Sequence, residues 1–153
     1  MKVAVGSDHA GFPLKEAVVG FLRQQNVDFK DFGAYSSDSV DYPDIGLAAA
    51  EAVANGQFDR GILVCGTGIG MSMTANKVPG IRAALCKDTY CALMAREHND
   101  ANILTLGSRT TEENTAFDIV QTFLATEFSG EERHARRVRE ISDIEQKYSK
   151  GGR

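Results

Sequence analysis

The chain has 153 residues, 42% of them hydrophobic and 25% charged, the mixture of one ordinary globular domain rather than a disordered or fibrous chain. Seventeen Lys and Arg against 21 Asp and Glu give a net charge of −4, which argues against a nucleic-acid binder built on a basic surplus. The apolar runs stop short of the roughly 18 residues of a membrane span, the strand-like start shows no signal peptide, and three cysteines lack a CxxC pair, so neither a membrane protein nor a secreted disulfide scaffold is expected, and the setting should be reducing and cytoplasmic.

Lys2–Gly6 reads as a first strand. From Pro13, suited to a first helical turn, Leu14, Ala17, Val18, Phe21 and Leu22 fall at helical spacing. Val27–Phe32 is a second strand, and Pro43 opens a helix that closes at Asn55-Gly56. Gly61–Cys65 is an apolar strand of the kind buried on both faces, followed by a glycine-rich turn and a short helix near Met71–Lys77. Ile81–Leu85 is the fourth strand, and Asp88 caps a helix to about Glu97. Asn102–Leu106 is the fifth, and Thr110 with Glu113 forms a capping box for a helix carrying Ala116, Phe117, Val120, Phe123 and Leu124.

Five strands alternating with helices predict one domain over residues 1–153, a doubly wound, Rossmann-like α/β/α sandwich with a parallel five-stranded sheet. The stretch at about 131–148 carries only Val138, Ile141, Ile144 and Tyr148 as its apolar stripe, a C-terminal helix suited to docking on a partner subunit. Residues 149–153 read as a disordered tail.

Ligands of open α/β sheets sit beyond the carboxyl ends of the strands. This chain places Ser7-Asp8-His9-Ala10-Gly11 there after the first strand, Asp41 and Tyr42 after the second, Cys65-Gly66-Thr67-Gly68-Ile69-Gly70 after the third and Gly107-Ser108-Arg109 after the fifth. Alternate glycines between a strand and a helix let successive N–H groups converge on an anion, a phosphate or a charge that develops during reaction. Walker A is absent, and Met71 takes the third glycine's place in GxGxxG, so the nucleotide readings fit poorly. Cys65 stands beside a helix N-terminus, which favours a thiolate that could act as nucleophile or base. A cysteine-phosphatase loop would need arginine where Met71 stands, whereas Cys86 and Cys91 read as inert small hydrophobes.

His98 ends the fourth helix. A helix that starts at the carboxyl rim ends at the opposite one, so His98 and Asn99 lie far from their own Cys65 and, if catalytic, serve a neighbouring subunit. Arg133 and Arg137 are one turn apart on a shared face, either a phosphate clamp or a solvated basic face. His9, His98 and His134 show no metal-ligand spacing with each other or with the cysteines, so no metal is expected.

Val5-Gly6-Ser7-Asp8-His9-Ala10-Gly11, Asp41-Tyr42-Pro43-Asp44, Cys65-Gly66-Thr67-Gly68-Ile69-Gly70-Met71-Ser72, Ala75-Asn76-Lys77, Gly80-Ile81-Arg82-Ala83-Ala84 and Glu97-His98-Asn99-Asp100-Ala101-Asn102 closely resemble the ribose-5-phosphate isomerase B family, whose relatives include galactose-6-phosphate and allose-6-phosphate isomerases. The likeness runs from Met1 to about Ile144. It implies interconversion of ribose 5-phosphate and ribulose 5-phosphate in the pentose phosphate pathway, without cofactor or metal, in a homodimer or tetramer whose sites lie between subunits. Cys65 would be the base, assisted by Thr67, the amides of the 66–70 turn (Gly66, Gly68, Gly70) would hold the enediolate, and Ser72 would bind substrate. His98 with Asp8 would open the furanose ring, Asn99 and Tyr42 would touch sugar oxygens, and His9, Arg109, Arg133 and Arg137 the phosphate. One branch of the family uses a glutamate six positions beyond the cysteine; Met71 stands there, which puts this chain with the cysteine branch. Two other readings use the same rim, a flavodoxin-like mononucleotide module and a sugar-phosphate-binding regulator without turnover; a six-carbon substrate is the nearer alternative.

Overall fold

The central strands are mostly apolar because helices cover both faces of the sheet. A computed structural model describes residues 1–149, and positions 150–153 of the expected tail lie outside them. Chain order is β1 (Lys2–Ser7), α1 (Phe12–Gln24), β2 (Asp28–Asp31), α2 (Tyr42–Ala54), β3 (Arg60–Cys65), α3 (Ile69–Ala75), β4 (Ala83–Leu85), α4 (Thr89–Glu97), β5 (Ile103–Gly107), α5 (Glu113–Ala125) and α6 (Glu132–Ser149). The strands pair in parallel in the order β2-β1-β3-β5-β4.

Strand periodicity divides the core in two. Val3, Val5, Ile62, Val64, Leu104 and Leu106 face the layer of α1, α4 and α5, where they meet Leu14, Val18, Ala92, Val120 and Phe123. Ala4, Leu63, Cys65 and Ile103 face α2 and α3, against Ala49, Val53, Met71 and Ala75. Each large apolar side chain so buried contributes roughly 1.5–3 kcal/mol before the entropy of ordering is set against it. Lys15 of α1 is buried too, its Nζ 2.6 Å from Asp31 Oδ2 at the end of β2 and 2.7 Å from Glu16 Oε1, so an ion pair joins the first helix to the edge strand.

Several boundaries differ from expectation. The fourth strand is only Ala83–Leu85, and side-chain amides take up backbone groups at its start. Asn76 Oδ1 accepts from Ala83 N at 2.8 Å while Asn76 Nδ2 donates to Ala83 O at 2.9 Å, and Asn102 Oδ1 accepts from Arg82 N at 2.8 Å. Thr110 and Glu113 form no capping box: Thr110 closes the turn after β5, its N and Oγ1 both donating to Gly107 O, and α5 starts at Glu113 with Glu112 as its N-cap. The short helix after β3 begins at Ile69 rather than Met71, and α6 runs to Ser149, the first residue of the expected tail. Asp88 does cap α4, its Oδ1 accepting from Cys91 N at 2.7 Å.

The chain leaves β1 through α1 toward the β2 edge, then returns through α2 on the other face to β3 on β1's opposite side. Loops that start in opposite directions open a crevice between them, so the β1 and β3 loops face each other where a ligand fits.

Candidate active site

Hydrogen bonds brace three loops at that crevice. Asp8 N donates to Val64 O (3.2 Å), Ser108 N to Cys65 O (2.9 Å) and Arg109 N to Gly66 O (2.9 Å), while Ser108 Oγ donates to Ala10 O (2.7 Å). Asp8 is buried and its Oδ1 accepts from Gly11 N at 2.8 Å, which shapes its own loop. The side chains these loops carry are thus held by the sheet rather than by flexible connections.

The resulting cavity of about 480 Å³ is lined by Asp8, His9, Ala10, Tyr42, Cys65, Gly66, Thr67, Ile69, Gly70, Met73 and Arg109. The last residue of β3, Cys65, is 4% exposed, and its Sγ accepts from Gly68 N at 3.2 Å. Gly68 is the N-cap of α3 at φ +78°, a left-handed conformation that favours glycine. Gly70 is required for a different reason: a Cβ there would stand 2.6 Å from Tyr42 Cζ, so only glycine lets the phenol lie across the turn. In the first turn of α3, the Gly70 N–H has no intrahelical carbonyl to bind. Thr67 is exposed at the wall, and the Arg109 guanidinium lies over Gly66. His9 Nδ1 is 3.2 Å from both the N and the O of Val40. An acid, an imidazole, a thiol, a hydroxyl, amide donors and a cation surround one space.

Gly68 and Ser72 stand behind this wall, Gly68 as cap and Ser72 bound through its N to Gly68 O, and neither lines the cavity. His98, Asn99, Arg133 and Arg137 do not line it either. His98, Arg133 and Arg137 gather around His134 where α4 meets α6, and Asn99 lines a groove with Ile141 and Ile144. His98 is the C-cap of α4, and its ring stacks on His134 with centroids 4.0 Å apart and planes inclined by 11°. Arg133 Nε pairs with Glu131 Oε2 at 2.9 Å, and Arg137 is exposed without an ion-pair partner among the described residues. Nearby, the chain between α5 and α6 is strapped down: Arg96, 1% exposed, donates through Nε to Thr126 O, and Ser129 N donates to Glu97 O.

Burial pushes the His134 imidazole below its ordinary value, with His98, Arg133 and Arg137 adding to the effect and Glu131 opposing it. Burial foremost raises the Cys86 thiol to about 12, and the hydrogen bond with Asp88 leads the rise of Cys91, so both stay protonated at neutral pH. Ile69 and Met73 are cavity walls not expected from the sequence, although their i, i+4 spacing puts two exposed apolar side chains on one face of α3. His134 was likewise without an expected role. Its position between Arg133 and Arg137 was the available signal.

The family model described as Ribose/Galactose Isomerase matches residues 3–141. The solved ribose-5-phosphate isomerase B of Clostridium thermocellum superposes with a TM-score of 0.95 at 55% identity, covering 97% of this chain and 99% of that one. The type B ribose 5-phosphate isomerase of Trypanosoma brucei gives a TM-score of 0.90 at 52% identity over 94% of this chain and 97% of its own. Ribose-5-phosphate isomerase B of Escherichia coli strain K12 is 45% identical over 146 residues, which are 95% of this chain and 97% of that protein. Sequence, fold and a braced cavity at the strand ends agree, and the chain belongs to the ribose/galactose isomerase family.

Proposed function

We propose that the chain interconverts D-ribose 5-phosphate and D-ribulose 5-phosphate through an enediolate, with Cys65 as the base. The observation that carries this reading is the Cys65 sulfur at the wall of a cavity that also presents amide, hydroxyl and guanidinium donors. Once the aldose is open, Cys65 takes the proton from C2, the C2–H electron pair becomes the C1–C2 double bond, and the carbonyl pair moves to O1 as an oxyanion. The N–H of Gly70 and the hydroxyl of Thr67 face the developing charge, which fixed donors stabilise without reorganisation. The O2 proton passes to O1, the base returns its proton to C1, and C2 becomes the ketone. No redox partner is consumed, because the electrons stay within the substrate.

His9 and Arg109 take the phosphate from one side, the cation of Arg109 supplying local positive charge on a chain of net charge −4. In the tautomer in which Nδ1 accepts from Val40 N–H, Nε2 carries the ring proton and can donate to a phosphate oxygen. The remaining groups come from a second copy of the chain. In a homodimer its His98 opens the ring with Asp8, its Asn99 binds a sugar hydroxyl beside Tyr42, and its Arg133 and Arg137 close on the phosphate. The exposed stripe of Ile141, Ile144 and Tyr148 on α6 supports such an assembly. Three free thiols suit the reducing cytoplasm, where pentose phosphates are metabolised.

The test is Cys65→Ala. Removing a general base should lower turnover of ribose 5-phosphate by about 10²- to 10⁴-fold. It should equally abolish solvent deuterium exchange at C1 of ribulose 5-phosphate while leaving sugar-phosphate binding, read by calorimetry, intact. Retained exchange would remove Cys65 from the reaction, and tight binding without turnover in the wild type would favour a regulator. A parallel assay with allose 6-phosphate and galactose 6-phosphate separates five- from six-carbon specificity.

A further inference from the structure

The reaction as proposed leaves one buried histidine without a part. His134 lies in the first turn of α6, is 3% exposed, and its Nε2 is buried with no hydrogen-bond partner among the described residues; the nearest carboxylate oxygen, Glu131 Oε2, is 4.0 Å away. An unpaired buried nitrogen is unfavourable, and a hydrocarbon side chain would fill the space without it. What the position contributes is a flat ring laid against another: the His98 and His134 imidazoles stack at 4.0 Å with planes only 11° apart. His98 is only half buried and caps α4, so its own backbone does not fix the direction of its ring. The stack does.

We infer that His134 is a positioning residue: by stacking on His98 it fixes the plane of that imidazole. This rests on the reading of His98 as the ring-opening group. Two further observations support it. The straps from Arg96 to Thr126 and from Ser129 to Glu97 hold the start of α6 near the end of α4 independently of His134, which leaves the imidazole to set the orientation rather than the proximity of the two helices. Burial also keeps His134 neutral near pH 7, against the pull of Glu131 and together with the repulsion of His98, Arg133 and Arg137, so it supports His98 without placing a second charge against it.

The experiment compares His134→Ala, His134→Phe and His98→Asn in the full-length enzyme. It reads kcat for ribose 5-phosphate, which includes ring opening, and deuterium exchange at C1 of ribulose 5-phosphate, which needs proton abstraction but no ring. Thermal midpoints are recorded for each. A misplaced catalytic group costs up to about 100-fold in rate, so His134→Ala should lower kcat at least about tenfold and leave exchange within about twofold. His134→Phe keeps a flat ring and loses no hydrogen bond, and should restore kcat to within about threefold of wild type by the same reasoning. His98→Asn should show the same split between kcat and exchange. If it splits and His134→Ala does not, the positioning role falls and the ring-opening reading stands; if His98→Asn shows no split, both fall. A Phe variant as slow as the Ala variant, folded and with the same midpoint as wild type, would overturn the inference in favour of a role for the ring nitrogen.

Discussion

Gly70 shows how closely the site is built on the absence of a side chain. A methyl group there would meet the Tyr42 ring at 2.6 Å, and since Tyr42 is partly exposed, the ring can swing outward. Gly70→Ala should therefore leave the fold intact and displace the phenol from the cavity. The loss of one hydrogen bond to a sugar oxygen, about 1 kcal/mol, predicts a KM for ribose 5-phosphate raised about fivefold with kcat less affected, measurable by steady-state kinetics. An unchanged KM would remove Tyr42 from substrate binding. At this scale much was legible in advance: Asp8, His9, Cys65, Thr67 and Arg109 could be assigned to one rim because each follows a recognisable strand, and the cavity contains all five. Lys15 was not legible, since a lysine beside Leu14 and Val18 reads as a solvated edge of the stripe until the fold supplies Asp31. Met73 was equally hidden, because an apolar residue on a short helix reads as core.

Among the elements, β4 is the exception. Strands such as Gly61–Cys65 announce themselves by an apolar run flanked by turns, whereas β4 is three residues long and its outer edge is satisfied by the carboxamide of Asn76. That amide meets both the N–H and the C=O of Ala83, as a neighbouring strand would, and keeps the sheet edge from presenting an open pair of groups to another chain. Replacing Asn76 with Ala should cost about 1–2 kcal/mol for the two bonds and lower the thermal midpoint by about 3–6 °C for a chain of this size, read by calorimetry. A midpoint unchanged within error would mean that water replaces the amide without loss. Side-chain mimicry of this kind leaves no periodic signal in the sequence. Thr110 was misplaced for a related reason: the spacing of a capping box was present, but the turn after β5 had already engaged its hydroxyl.

On the scale of the whole molecule, the proposed residues fall into two groups that one chain does not bring together, the cavity at the strand ends and the His98 cluster at the far end of α4. If two copies complete each other's sites, mixing inactive Cys65→Ala chains with inactive His98→Asn chains should restore activity. A heterodimer would contain one site with both lesions and one with neither, so random pairing of equal amounts predicts about a quarter of wild-type activity after subunit exchange. No recovery would place both groups in sites formed by single chains. The nine residues of α4 span about 13 Å and carry His98 away from the strand ends, and this division of imidazole from thiol has a kinetic consequence. If the sites are shared, an isolated chain holds one half of each of two sites and completes neither. Specific activity should therefore fall on dilution below the concentration at which chains associate, and ribose 5-phosphate, by bridging the two surfaces, should delay that fall.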